Sequence, residues 1–264
     1  MFDYHCHSSF SNDAEFPMEA MVQGALAAGL KEMAFTDHVD YDYADPSIHF
    51  DIPHEAYRAE IGRLRGLYDG RITLRHGLEL GLQPHLTEAC ARLVAEQQPD
   101  FVLCSIHTCR QLDLYRGDFY RDRTPAQAWA DYLEELLTIV DRFQAFNVIG
   151  HLDILRRYNA EAAAYPKGPL KEGFMTLFRR LAAAGKGLEV NTSGYRNPEE
   201  MPLPGWELLS WYKEAGGEVL TLGSDAHSPD VLAYRFPETV ERLKTLGFRT
   251  VCTFEAMAPT FHLL

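Results

Sequence analysis

The sequence predicts a single α/β domain spanning residues 1–264, closed into a barrel with its functional site at the C-terminal ends of the strands. Three observations lead there. Short apolar, β-rich runs alternate with amphipathic helical stretches, the pattern of a parallel sheet with crossover helices. Seven or eight such units favour a closed barrel over an open doubly wound sheet, which is the alternative architecture. Six of the runs end in a residue able to hold a metal ion, and strand ends are where an α/β barrel carries its chemistry.

The elements follow in order. FDYH (2–5) is the first strand. PMEAMVQGALAAGL (17–30) reads as a helix, with a proline at its start, where a missing N–H costs nothing, and Gly29 near its end. EMAFT (32–36) is the second strand and runs into Asp37-His38. The irregular YDYADPSIHFDIPHEAY (41–57) follows it, in the position of an active-site loop. ITLRHGLEL (72–80) brings Glu79 near its end, and DFVLCSIH (100–107) ends on His107. TPAQAWADYLEELLTIVDRF (124–143) repeats apolar residues at helical spacing after a Thr-Pro start. FNVIGH (146–151) ends on His151. Helices over KEGFMTLFRRLAAAGK (171–186) and PGWELLSWYKEAGG (204–217) flank the strand GLEVNT (187–192) and stop at glycines. EVLTLGSD (218–225) leads to Asp225 and His227, and RTVCTF (249–254) predicts an eighth strand. No linker, low-complexity tract or repeat interrupts the series.

Composition narrows the function. The chain is 46% hydrophobic and 24% charged, enough to bury one core without metal or disulfide staples, so any metal is expected to be catalytic. A net charge of −13 without a Lys/Arg run disfavours a nucleic-acid footprint. A small phosphorylated substrate is still compatible, because a few cations in a cleft outweigh the global charge locally. The five cysteines are odd in number and form no C-x-x-C pair, which is reduced, cytosolic usage. Cys104 and Cys252 sit in apolar runs and read as small buried hydrophobes. No secretory pattern opens the sequence, and no apolar stretch approaches the roughly 18 residues of a membrane span. The expectation is a cytoplasmic protein without a membrane partner; the sequence leaves the oligomeric state open and is compatible with a homo-oligomer.

The eleven histidines carry the strongest signal. On an extended segment residues i and i+2 point the same way, so His5 and His7 can grip one ion while Cys6 faces elsewhere. The same holds for Asp225 and His227. Any one of these motifs alone is weak, since an isolated H-x-H is more often incidental than a ligand. Their joint placement at His5, His7, His38, Glu79, His107, His151, Asp225 and His227 predicts a metal site. Imidazole with carboxylate suits zinc, iron or manganese better than calcium or magnesium. His49, His54, His76, His85 and His262 fall outside the scheme and read as surface or core histidines.

The series HCH (5–7), TDH (36–38), GLE (77–79), SIH (105–107), GH (150–151) and GSDAH (223–227) resembles the PHP family, the polymerase and histidinol phosphatase superfamily, over nearly the whole chain. HSSFSND, GHLDILRRY, NTSGYR and GSDAHSP resemble its monofunctional histidinol-phosphate phosphatase branch. The resemblance implies a distorted (β/α)7 TIM-like barrel with three divalent metal ions at its C-terminal face. His5, His7, Glu79 and Asp225 would hold the first ion, and Glu79, His107 and His151 the second. The third would take His38, His227 and a residue of the first loop. Many family members have a histidine there; in this chain the spacing lands on Asp13, with Glu15 as the rival.

The activity implied is hydrolysis of L-histidinol phosphate to L-histidinol and phosphate, a step of histidine biosynthesis, by in-line attack of a metal-held hydroxide. Asp225 or His227 would relay a proton to the leaving alkoxide. Arg156, Arg157 and Arg196 stand on the correct side to bind phosphate through a planar guanidinium, with Arg110 a weaker candidate. The loop DHVDYDYAD (37–45) could wall the imidazole and amine, or be a solvated acidic loop. The alternatives are another PHP phosphoesterase acting on a different small phosphate ester or nucleotide, and a non-catalytic metal-binding domain of the same fold.

Overall fold

The computed structural model of the chain describes residues 1–163, 165 and 167–264. Among the described residues, seven parallel strands follow one another in space as they do in sequence: β1 (Phe2–Cys6), β2 (Glu32–Phe35), β4 (Thr73–Gly81), β5 (Phe101–Ser105), β8 (Val148–Ile149), β9 (Gly187–Asn191) and β10 (Leu220–Gly223). A short β3 (His38–Val39) prolongs the second position beside β4, pairing His38 with Glu79. The ring closes just past the strand ends. There the Asp225 amide donates to the His5 carbonyl at 2.8 Å and the His7 amide to the Ala226 carbonyl at 2.9 Å. This is the α/β TIM-like barrel that the alternation predicts.

The helices lie outside. α1 (Met18–Ala27) buries Met18, Met21, Val22 and Ala25, one face at helical spacing. α2 (His54–Leu67) and α3 (Thr87–Gln97) follow β3 and β4; α2 takes up the last residues of the stretch expected to be irregular over 41–57. Around β6 (Thr108–Cys109) and β7 (Leu112–Asp113) a small antiparallel ribbon leads into α4 (Pro125–Arg142). α4 begins as its Thr-Pro start demands, with Thr124 and Gln127 exchanging a capping box. It buries Trp129, Tyr132, Leu133, Leu136, Ile139 and Val140. α5 (Leu155–Tyr158) is a single turn after the fifth barrel strand; α6 (Pro169–Ala183), α7 (Trp206–Glu214) and α8 (Phe236–Thr245) complete the outer layer.

The eighth expected run is a strand, but it lies outside the seven-stranded barrel. β11 (Thr250–Glu255) does not join the barrel; it pairs antiparallel with β12 (Ala258–Leu263) as a separate hairpin. That hairpin closes the N-terminal mouth. Phe254 and Cys252 pack with Tyr4, Ala34, Phe101, Leu103, Val148 and Val219, and the Phe254 amide donates to the Tyr4 hydroxyl at 2.7 Å. An apolar run of six residues signals a strand but not its partner, and here Cys252 and Phe254 bury their side chains against the barrel's end. With this end plugged, the opposite face is the open one.

Candidate metal centre

His5, His7, His38, Glu79, His107, His151, Asp225 and His227 all project into the C-terminal mouth. A bulge in β1 between Asp3 and Cys6 lets His5 and His7 face the same point, while the Cys6 thiol turns to the Ala34 carbonyl. The two Nε2 atoms are 3.0 Å apart. Glu79 Oε2 lies 3.0 Å from His5 Nε2 and 3.4 Å from His7 Nε2; Asp225 Oδ1 lies 3.7 Å and 3.5 Å from the same two atoms. The other oxygen, Glu79 Oε1, faces His151 Nε2 at 3.0 Å and His107 Nε2 at 3.3 Å, and accepts the Ser105 hydroxyl at 2.6 Å. One carboxylate therefore addresses two groups of imidazoles.

A third group lies nearer solvent. Asp13 Oδ2 sits 3.3 Å from His38 Nε2 and 3.2 Å from His227 Nε2. The His7 ring is stacked between those of His38 and His227, with centroids 4.5 Å and 4.2 Å away. Glu15 is exposed and stands in none of the ligand groups among the described residues. Nor do His49, His54, His76, His85 and His262.

This donor set fits cations. His5, His7 and Glu79 are fully buried, and buried imidazole lone pairs and carboxylates directed at one another are costly unless positive charge lies between them. Charge preferences point the same way. Burial alone would lower His38, but Glu79 and Asp13 bring it up to about 9. Against burial, Glu189, Glu79 and Asp225 hold His5 well above its ordinary value, and Asp40 and Glu79 do so for His107. His7, desolvated and flanked by His227 and His38, is pushed down to about 3. Despite burial, the imidazoles hold Glu79 and Asp225 well below the usual carboxylate range. A site that draws protons onto its imidazoles is one where a divalent ion can replace them. His151 (φ 24°) and Asp225 (φ 52°) have left-handed backbones, rare for such side chains and concentrated at functional sites.

Several residues around the ligands have supporting roles that sequence reasoning does not assign. Asp40 Oδ2 lies 2.5 Å from His107 Nδ1, and Glu189 Oε1 lies 2.6 Å from His5 Nδ1. Ser11 accepts the His38 amide at 3.0 Å and sits 3.3 Å from His7 Nδ1. Asp37, adjacent to His38, turns away to accept from Ser8 and Ser11, and burial pushes its carboxyl up to about 6.

A cavity of about 570 Å³ opens onto the cluster. His38, Glu79, His107, His151, Asp225 and His227 form its floor; Tyr43, Ile48, Phe50, Tyr115, Ile154 and Tyr158 supply apolar and aromatic wall. From DHVDYDYAD, Asp40 and Tyr43 reach the cavity, whereas Asp42 is at the surface against His85. Arg157 and Arg196 line it. Arg157 reaches Asp225 Oδ2 and the Ser193 hydroxyl; Arg196 donates to the Ser224 carbonyl at 2.8 Å. Arg156 does not reach the cavity. Its guanidinium is buried on the far side, 3.1 Å from Asp153 and 2.9 Å from the Tyr165 hydroxyl, because consecutive residues of one helical turn point about 100° apart. Arg110 is engaged with Glu134 and Asp131.

The PHP domain family model matches residues 3–193. A histidinol-phosphatase of Lactococcus lactis subsp. lactis is 32% identical over 97% of this chain and 94% of its own length. A probable histidinol-phosphatase of Deinococcus radiodurans is 29% identical over 94% of this chain and 95% of its own. The crystal structure of the histidinol phosphate phosphatase from L. lactis subsp. lactis, in complex with Zn, L-histidinol and phosphate, superposes with a TM-score of 0.88 at 30% identity, covering 98% of each chain.

Proposed function

The chain belongs to the PHP family, and from that premise we propose that it is a histidinol-phosphatase, a phosphoric monoester hydrolase converting L-histidinol phosphate to L-histidinol and phosphate. The observation that carries this reading is Glu79, whose two oxygens separate two imidazole groups at the floor of a cavity that also holds two arginines. His5, His7, Glu79 and Asp225 would hold one ion, Glu79, His107 and His151 a second, and His38, His227 and Asp13 a third. The donors are those of zinc, iron or manganese. Such ions, when bound, lower the pKa of water to about 7 and neutralise charge on phosphoryl oxygens.

The chain's own groups do the rest. Arg157 and Arg196 receive the phosphate from the cavity wall, their guanidinium N–H groups matching its oxygens. The aromatic wall of Tyr43, Phe50, Tyr115 and Tyr158 takes the remainder of the substrate and excludes water from it. Asp225 turns Oδ1 to His5 and His7 and Oδ2 to Arg157 and Ser193, so Oδ2 is the atom placed to pass a proton from the attacking water to the leaving alkoxide. His227, the other candidate, has Nε2 committed toward Asp13. All five cysteines are free and buried among the described residues, which supports a reducing, cytoplasmic setting. Among the described residues, no helix is long and apolar enough to cross a membrane.

The test is turnover of metal-loaded protein on L-histidinol phosphate beside a panel of other phosphomonoesters and bis-p-nitrophenyl phosphate, with elemental analysis. Selective phosphate release from L-histidinol phosphate at near three ions per chain is the expected result; equal or greater turnover of another ester would overturn the substrate assignment.

A further inference from the structure

A buried carboxylate outside this ligand set ties two of its members together. Glu189, on β9, is 1% exposed at its side chain and directs Oε1 to His5 Nδ1 at 2.6 Å. Its Oε2 accepts the His151 backbone N–H at 2.8 Å and the Asn191 side-chain N–H at 3.1 Å. The same side chain thus addresses a residue assigned to the first ion and one assigned to the second. A carboxylate at Nδ1 places the imidazole proton there, leaving the His5 Nε2 lone pair free on the side of His7 and Glu79. At His151 the contact falls on the amide of a residue whose φ is 24°, a strained backbone that needs a fixed partner. The neighbouring strand makes room: a Cβ at Gly223 would overlap both Glu189 Oε1 and His5 Cβ.

Resting on the ligand assignment above, we propose that Glu189 is a positioning residue of the metal centre, orienting the His5 ring and holding the His151 backbone so that two metal positions are built around one carboxylate. Glu189→Gln keeps the size but offers one acceptor oxygen where the His5 ring N–H and the His151 amide need two. The metal-free variant should keep the wild-type circular dichroism. In competition with a chelator it should bind zinc or cobalt(II) 10- to 100-fold more weakly, the range of such outer partners, and its cobalt(II) visible spectrum should differ. Affinity within twofold of wild type with an unchanged spectrum overturns the proposal. If the variant does not fold, two-bond 15N–1H correlations on zinc-loaded wild type decide: a proton on His5 Nδ1 supports the role, and a proton on Nε2 overturns it. Both readouts use metal alone. A wild-type protein that binds metal but leaves L-histidinol phosphate intact overturns the substrate reading and leaves this one standing.

Discussion

Arg157 and Asp225 meet as an ion pair at 3.3 Å on the cavity wall, so the guanidinium placed to receive phosphate also holds the carboxylate placed to move the proton. Arg196 has no such second task; its contacts there are the Ser224 and Asp225 carbonyls. Arg196→Ala should therefore raise KM for a phosphomonoester by roughly 10- to 100-fold with kcat little changed, the value of a charge-assisted hydrogen bond. Arg157→Ala should lower kcat as well. Steady-state kinetics with elemental analysis checks both, with metal content unchanged in each; an unaltered KM in Arg196→Ala would count against its role.

Asp13 and Glu15 are separable by metal counting. Asp13 Oδ2 reaches both His38 and His227, and Glu15 reaches neither. Asp13→Ala should lose about one ion per chain and keep those held around Glu79, because the Asp13 carboxylate reaches His38 and His227 and not the imidazoles grouped on Glu79. Glu15→Ala should keep the wild-type stoichiometry. The reverse pattern would reassign the third site.

His76, on the outer side of β4, predicts a pH dependence unrelated to the metal centre. It packs 5.6 Å from the Tyr57 ring, and burial, opposed by Asp100 and aided by Arg58, Arg65 and His54, pushes it down to about 4. The unfolded chain takes up the proton near 6.5, so the neutral folded form is fully favoured above that value. Stability is lost as pH falls from 6.5 towards 4, by at most about 3 kcal/mol. Denaturant unfolding of metal-free protein should show this slope, and His76→Phe should flatten it; an equal slope in the variant would refute the assignment.

The two ends of the barrel should respond differently to mutation. Phe254 fills the N-terminal mouth against Tyr4 and Phe101, with ring centroids 6.2 Å and 5.3 Å away, far from the ligands at the other end. Phe254→Ala should cost about 3–5 kcal/mol of stability, the range for emptying a buried aromatic site. Metal content and KM of the folded fraction should be those of wild type. A lost ion in this variant would show that the floor reaches the site.

How much of this was legible in the sequence divides along a physical line. The barrel strands were, because buried parallel strands are short apolar runs and their ends carry unusual polar residues. α4 was legible from its Thr-Pro start and its apolar spacing, both of them local signals. RTVCTF is legible as a strand but its partner is not, because pairing is a non-local choice that composition does not encode. Glu189 has no sequence signal, and Asp40 reads only as part of a possible acidic wall, because an outer carboxylate acts through a distance in space, 2.6 Å to His5 and 2.5 Å to His107, and has no spacing rule along the chain. Arg156 and Arg157 were indistinguishable until the turn they share separated them.

The ring of strands has a seam. Where β1 meets β10 the closure rests on backbone bonds beyond the strand ends, Asp225 and Ala226 to His5 and His7 to Ala226, with Ser224 donating to the Asp3 carboxylate. The first proposed ion would sit across that seam, gripping His5 and His7 on one lip and Asp225 on the other. It would act as a clasp joining positions separated by nearly the whole chain. Clasps over loops that long remove chain entropy on the order of 5 kcal/mol in the loop-closure picture. Metal starvation would then unzip the molecule along this line, and the amides of β1 and β10 would be the first to exchange.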